Sequence, residues 1–167
     1  GVPDEAVTHS IEVARKALEI SSRVRIPLDR KLIIRGAVYH DLGKAKTYGM
    51  QHGEIGAQMA KELNLGDDIV QIILKHIRGG LTEPEAVELG LPVRDYTLRT
   101  PEEKIVVYAD RMVDIYTDGI VPDTDETAAE ARFVEILNQY EKYGKNPVTL
   151  QRYVAMHSEI QGWMLET

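Results

Sequence analysis

Apolar residues recur at every third or fourth position along nearly the whole of this 167-residue chain. That spacing predicts amphipathic helices, and the alternating pattern that β-strands require is found in few places. Because each such helix must bury its apolar stripe against other helices, the pattern restricts the chain to a helical architecture. We therefore expect an all-α fold, a compact single-domain bundle of about six to eight helices.

Capping residues indicate where several of these helices begin. Asp4 and Asp29 are predicted caps, because an aspartate side chain can accept hydrogen bonds from the free N–H groups of a first turn. Thr100, followed by Pro101 and then by glutamates, is the strongest start signal in the chain. The predicted helices cover 4–22, 29–40, 52–63, 67–78, 83–89, 101–117, 126–143 and 146–165.

Charge and cysteine content restrict the classes of function. The chain contains no cysteine, so disulfides and cysteine nucleophiles are excluded and any metal must be held by nitrogen and oxygen. Its formal net charge of -7 argues against duplex nucleic acid as a partner, but leaves open a small anionic substrate. No apolar run approaches the roughly 20 residues that span a bilayer, and no secretion signal opens the sequence. We therefore expect no membrane interaction and a cytoplasmic location.

Histidines and aspartates stand on the apolar sides of the predicted helices. Four helices each carry one such residue, and a His-Asp pair ends a further helix; the residues are His9, His52, His76, Asp110 and the pair His40 and Asp41. Burying an unpaired carboxylate costs several kcal/mol, so these groups must meet partners inside the fold. Histidine and carboxylate ligands suit Zn, Mn or Fe better than Ca or Mg, and the carboxylate of Asp41 could bridge two ions.

A histidine on the apolar face of a helix is often a hydrogen-bonded core residue and not a metal ligand. His157 illustrates this alternative, because it aligns with Val154 and Ile160 on the last helix although nothing else indicates a ligand. We predict that His157 does not bind metal. What distinguishes the other residues is their joint order along the chain, together with Gly43 and Lys44 directly after the pair.

That order, in the segments "HDLGK", "HGEIGA", "ILKHI" and "VVYADRMVD", resembles the HD-domain superfamily of metal-dependent phosphohydrolases over about the first 115 residues. The additional histidines, His52 and His76, are similar to those of its dinuclear branch, which includes di-iron hydrolases of diadenosine tetraphosphate and cyclic-dinucleotide phosphodiesterases. The tyrosine-containing motif of the latter enzymes is not found in this sequence. The length fits a single domain, so we expect one HD-type domain over 1–167, with a metal-site core in 1–116 and C-terminal helices of 117–167 packed on it. The last two predicted helices lie outside the resemblance.

The resemblance also implies a ligand set and a chemistry. Divalent transition metal, expected as two ions of Fe, Mn or Zn, would be held by His9, His40, Asp41, His52, His76 and Asp110. A hydroxide between the ions would attack a phosphoester or phosphoanhydride of a nucleotide-like substrate. Asp41 and Lys44 are the expected catalytic residues, and Lys44 would also bind a phosphate oxygen. Arg78 and Arg111 are candidates for binding substrate, although each could equally be a solvated surface arginine.

Two other functions are compatible with this ligand set. One is an HD-fold di-iron oxygenase, and the other is a non-catalytic nucleotide-binding module. Lys44 favours the phosphohydrolase, and the complete set of ligands argues against the binding module. Metal identity, substrate identity and oligomeric state stay open, and a homo-oligomer is compatible with the sequence.

Overall fold

The computed structural model describes residues 1–165, and that part of the chain is helical almost throughout, with no β-strand. Its α-helices are α1 (Asp4–Arg23), α2 (Arg30–Tyr39), α3 (His52–Glu62), α4 (Asp67–Lys75), α5 (Glu83–Glu88), α6 (Pro101–Thr117), α7 (Glu126–Ala131), α8 (Phe133–Gln139), α9 (Glu141–Gly144) and α10 (Pro147–Trp163). Three short 3₁₀ helices cover Leu42–Ala45, Ile77–Gly79 and Pro122–Thr124. The predicted all-α single domain is confirmed, and no helix of the described residues is both long and apolar enough to cross a membrane.

The ten α-helices of residues 1–165 exceed the expected six to eight because the predicted helix over 126–143 is divided into three. The breaks fall at Arg132 and Tyr140, and Tyr140 has an extended backbone with φ -118° and ψ 108°. The turn at Tyr140 lets the ring of Tyr143 become buried, and its hydroxyl donates to Asp118 over 2.7 Å. Apolar residues continue at helical spacing through both breaks, so the pattern alone predicted one helix.

Two of the three predicted caps are confirmed. The Asp29 carboxylate accepts a hydrogen bond from the Leu32 N–H over 3.0 Å. Thr100 accepts from the Glu103 N–H over 3.1 Å, and the Glu103 side chain accepts from the Thr100 N–H in return. The prediction for Asp4 is wrong, because Pro3 occupies the cap position and Asp4 is the first helical residue. An acid in the first turn still interacts favourably with the positive end of the helix.

The buried side chains form two clusters. The larger joins α1, α2 and α6 to the C-terminal helices, with Val13, Ile33, Val107, Phe133 and Ile160 fully buried. The second joins α3, α4 and α5 with the segment that follows α5. Helix α4 contributes to both clusters through the neighbouring residues Ile72 and Ile73. The predicted metal ligands come from the end of α4 and from the helices around it. Packing of the two clusters therefore decides how those polar side chains are placed.

Candidate metal centre

Five helices bring the predicted ligands to one place. His9 lies within α1 and Asp110 within α6, whereas the other four residues stand at or beside helix ends. His40 and His76 are the C-terminal caps of α2 and α4, Asp41 follows His40, and His52 is the first residue of α3. Two sets of ligand atoms close enough to hold one ion occur in the described part of the chain: His9, His40 and Asp110, and His40, Asp41 and His76.

The carboxylate of Asp41 lies between the histidines and faces them with different oxygens. Its Oδ2 is 3.2 Å from His40 Nε2 and 3.9 Å from His9 Nε2. Its Oδ1 is 3.2 Å from His76 Nε2 and 3.4 Å from His52 Nε2. One buried carboxylate therefore faces two separate groups of nitrogen atoms, which is the arrangement that a bridging ligand requires.

Asp110 completes the group around Oδ2. Its Oδ1 is 2.7 Å from His9 Nε2 and 3.4 Å from His40 Nε2. The His40 side chain is fully buried, and its Nε2 has no hydrogen-bond partner. A buried polar atom without a partner is costly, and a ligand aimed at a metal position explains it.

The orientation of three histidines is set by the backbone. The Nδ1 atoms of His40, His52 and His76 each lie 2.7–2.8 Å from the carbonyl of the third residue before them. A carbonyl only accepts, so each Nδ1 carries the hydrogen, and each ring in its neutral form presents an Nε2 lone pair to the site. This backbone hydrogen bond is the usual support of a histidine that binds metal.

His52 and His76 provide a test of whether the residues fit a metal. Their Nε2 atoms approach to 2.9 Å, although both Nδ1 atoms carry the hydrogen. Two facing lone pairs repel unless a cation or a proton lies between or beside them. The ionised carboxylate of Asp41 lies 3.4 Å from His52 and 3.2 Å from His76, so the donor set favours positive charge and suits a divalent N/O-ligated ion.

The pKa values of the aspartates agree with this electrostatic balance. Burial alone would raise the pKa of Asp41 and of Asp110, but the neighbouring histidines, His40 first, bring both well below the ordinary value. Burial likewise opposes charge on His40, yet the two carboxylates raise its pKa well above normal. Burial dominates at His76, where it lowers the pKa. The carboxylates thus stay ionised and attract a cation.

Asp114, one turn after Asp110 in α6, also lies at the centre and is not among the residues predicted from the sequence. Its Oδ1 is 3.8 Å from Nδ1 of His9, the one centre histidine whose Nδ1 does not meet a backbone carbonyl. Burial and the charge of Asp110 raise the pKa of Asp114 to about 6. The spacing of the two aspartates, four residues on one helix face, was the pattern that could have indicated it.

Lys44 lies at the centre as predicted from its position in "HDLGK". Its Nζ is 3.2 Å from Asp41 Oδ2 and 5.2 Å from the ring centroid of Tyr48, and its side chain is 23% exposed. The turn before it passes very close to α3, since a Cβ on Gly43 would lie 1.8 Å from the His52 carbonyl oxygen. Gly43 thus allows the Asp41 loop and His52 to approach each other.

The two predicted arginines occupy different environments. Arg111 is held by Asp114 at 3.3 Å and stacks over Tyr153 with its hydroxyl 3.2 Å away, so it is not a solvated surface residue. Arg78 lines a groove beside the C-terminal helices. His157 lies apart from the metal groups: its Nδ1 is 2.6 Å from the Tyr108 hydroxyl and its ring stacks on a phenylalanine.

Comparison with known proteins relates this architecture to a family. The HD domain family matches residues 6–113. The uncharacterized protein MJ0778 of Methanocaldococcus jannaschii is 32% identical over 161 residues, covering 94% of this chain and 88% of that protein. A tRNA (cytidine(56)-2'-O)-methyltransferase of Picrophilus torridus is 37% identical over 135 residues, which are 81% of this chain and 36% of the methyltransferase. The PgpH HD domain of L. monocytogenes, solved in complex with cyclic-di-AMP, superposes with a TM-score of 0.59 at 17% identity, covering 97% of this chain and 92% of that one.

These similarities differ in what they establish. The likeness to PgpH, at 17% identity, concerns the fold alone. The chain spans most of MJ0778 but only about a third of the methyltransferase, so the activity of the latter belongs to a larger protein. The family match covers more than half of the chain and includes every predicted metal ligand. This chain is a member of the HD domain family.

Proposed function

We propose that this protein is a metal-dependent phosphohydrolase that cleaves a phosphoester or phosphoanhydride of a nucleotide-like substrate. The observation that carries the proposal is the position of Asp41, whose two oxygens face two groups of histidine nitrogens. Six side chains, His9, His40, Asp41, His52, His76 and Asp110, would hold the metal, and the two-sided carboxylate favours a pair of ions. This ligand count supports the dinuclear branch of the family.

Divalent metal bound at such a site lowers the pKa of a coordinated water and neutralises charge on phosphoryl oxygens. The protein's own groups orient the reaction. The backbone carbonyls that accept from His40, His52 and His76 keep the rings in one tautomer and one orientation. Lys44, partly exposed beside Asp41, can release that contact and donate to a phosphate oxygen.

The names of two similar proteins make a phosphodiester one of the bonds to test. PgpH is described as a phosphodiesterase and its HD domain was solved with cyclic-di-AMP. A Ribonuclease Y of Sulfurovum sp. matches 50% of this chain at 35% identity. These names motivate a substrate panel of dinucleoside polyphosphates, linear and cyclic dinucleotides and short RNA.

The proposed function is tested by elemental analysis of protein purified without chelator, combined with product analysis on that panel. We expect close to two transition-metal ions per chain and hydrolysis of at least one nucleotide substrate. Two irons without any hydrolysis would favour the oxygenase. A protein that takes up no metal even on reconstitution would contradict both enzymatic functions and leave the binding module.

Lys44 provides a second test within the hydrolase. We expect Lys44→Met to raise KM about tenfold or more, since a charge-assisted hydrogen bond to phosphate is lost, while metal content stays unchanged. Lys61→Met, an exposed lysine at the far end of α3, is the matched control and should leave both quantities unaltered. Loss of metal in the Lys44 variant would show that the lysine supports the centre and not the substrate.

A further inference from the structure

Two cations without partners, Arg78 and Lys145, line a groove of about 520 Å³ together with Glu141, Lys142 and Asn146. Among residues 1–165, neither the Arg78 nor the Lys145 side chain makes an ion pair or a hydrogen bond, and the Nε of Arg78 is buried. Lys145 belongs to the turn between α9 and α10, outside the segment that the HD family matches. The groove therefore combines the family core with a part of the chain that the family does not describe.

Both cations stand in backbone conformations that side chains with a Cβ rarely adopt. Arg78 has φ +49° inside the turn after α4, and Lys145 has φ +66° and ψ -78°. At Lys145 the N–H of Asn146 donates to the Gly144 carbonyl over 2.9 Å, which closes a γ-turn of the strained kind. Such conformations persist only where surrounding structure holds them, and they often lie at binding sites.

Positive charge accumulates in this groove although the whole chain carries a net charge of -7. Burial lowers the pKa of Lys145, and the charges of Arg111 and Arg78 lower it further. Lys142 forms an ion pair with Asp118 at 2.8 Å. Arg78 and Lys145 are therefore the two cations of the groove lining that have no ion-pair partner among the described residues. Glu141 also lines the groove, but in the described part of the chain it forms no ion pair with either cation. Two like charges without an ion-pair partner are unfavourable unless an anion binds near them.

The groove is linked to the metal centre through the carboxylate of Asp114 and through the turn that follows α4. Asp114 lies 3.8 Å from His9 Nδ1 and 3.3 Å from Arg111, and its charge also acts on Lys145. Arg78 is separated from His76 by a single residue. An anion in the groove and a phosphate at the centre would therefore be neighbours.

From this arrangement we propose that the groove binds a second, non-reacting phosphate of the substrate through Arg78 and Lys145, so that the substrates of this protein carry at least two phosphate groups. This role rests on the proposed hydrolase function and narrows its substrate class. Both groups act as binding residues, since they hold the phosphate that does not react. Arg78 supplies planar guanidinium donors, and Lys145 supplies a compact charge.

The test compares two probes on manganese-loaded protein by calorimetric titration: inorganic phosphate, with one phosphate group, and tripolyphosphate, with three. Manganese is kept in excess of the tripolyphosphate, and metal content is measured before and after titration. We expect wild-type protein to bind tripolyphosphate more tightly than phosphate. The double variant Arg78→Gln with Lys145→Gln should lose about tenfold or more in affinity for tripolyphosphate, with the affinity for phosphate unchanged.

The matched control is the double variant Lys31→Gln with Lys61→Gln, which removes the same charge from exposed positions at the helix ends remote from the centre. It should retain the preference for tripolyphosphate. Equal loss in the control would assign the effect to net charge and overturn the groove. A preference that survives the Arg78 and Lys145 replacements, or a wild-type protein with no preference, would also overturn it. Because the experiment measures binding, its result is valid even if the protein hydrolyses no substrate. The single variants Arg78→Gln and Lys145→Gln, if their melting temperature and metal content are unchanged, exclude misfolding as the cause of a lost affinity.

Discussion

The two carboxylate oxygens of Asp41 face two different groups of histidines. Oδ2 faces His40 and His9, and Oδ1 faces His76 and His52. The carboxylate is almost fully buried, at 3% exposure, so nothing but these rings and Lys44 balances its charge. Replacing this residue should therefore affect every bound ion, whereas replacing His52, which contacts only Oδ1, should affect one.

We predict that Asp41→Asn loses both ions, because an amide bridges poorly and one of its ends is a donor. His52→Ala should lose only the ion on the Oδ1 side, since His9, His40 and Asp110 contact the other side. Metal analysis of the purified variants measures this difference. His157→Ala serves as the control and should keep the full metal content. Equal loss in the Asp41 and His52 variants would mean that the two groups of ligands form one site.

Helix ends, more than helix faces, position the centre. His40, His52 and His76 all stand where a helix stops or starts, and there the carbonyl three residues earlier accepts from Nδ1. The short 3₁₀ helix Leu42–Ala45 then directs Lys44 back toward Asp41. This turn contacts α3 through Gly43, so the close approach of two elements depends on the absence of one side chain.

We predict that Gly43→Ala destabilises the fold by about 3 kcal/mol or more and lowers metal content, because its Cβ would overlap the backbone of His52. Denaturant unfolding and metal analysis of the same sample measure both effects. Gly162→Ala in α10 is the matched control, since its Cβ meets nothing within 4 Å. In that helix the added methyl should stabilise by roughly 0.5–1 kcal/mol. A Gly43 variant as stable as the control would contradict the close approach.

Across the whole molecule, the centre joins α1, α2, α3, α4 and α6, so metal binding should stabilise the entire bundle. At a free metal concentration about 100 times the dissociation constant, one ion adds roughly 2.7 kcal/mol. For a chain of this length that corresponds to an increase of about 5–10 °C in melting temperature. Calorimetry of metal-loaded and chelated protein tests this, and a melting temperature insensitive to chelator would contradict it.

The increase in melting temperature on metal binding should also depend on pH. Burial opposes protonation of His9, but Asp110 outweighs it and raises the pKa of His9, and the carboxylates raise the pKa of His40 in the same direction. Protons therefore compete with metal up to a higher pH than for a free histidine. We expect the metal-induced increase in melting temperature to grow as pH rises through these raised pKa values and to shrink at lower pH. An increase that is larger at low pH would contradict this.

Local chemistry by itself determined much of this protein. Helical periodicity predicted the all-α fold, and the caps Asp29 and Thr100 predicted two helix starts. The order of histidines and aspartates predicted six residues, of which five form two clusters and the sixth, His52, lies 3.4 Å from Asp41. Periodicity and capping depend on neighbours a few residues apart, which is the range that a local pattern covers, whereas the set of six came from the resemblance of a long segment to a known family. The assignment of those six residues as metal ligands stays a prediction.

Tertiary structure decided what depends on distant segments. Apolar spacing continues through the breaks at Arg132 and Tyr140, so no local pattern marks them. We attribute them to packing of the C-terminal helices. Packing of α6 against α1 places Asp114 beside His9, and packing of the turn before α10 places Lys145 in the same groove as Arg78. The free energy of such contacts comes from burial and charge between elements far apart in the chain, and no local pattern contains it.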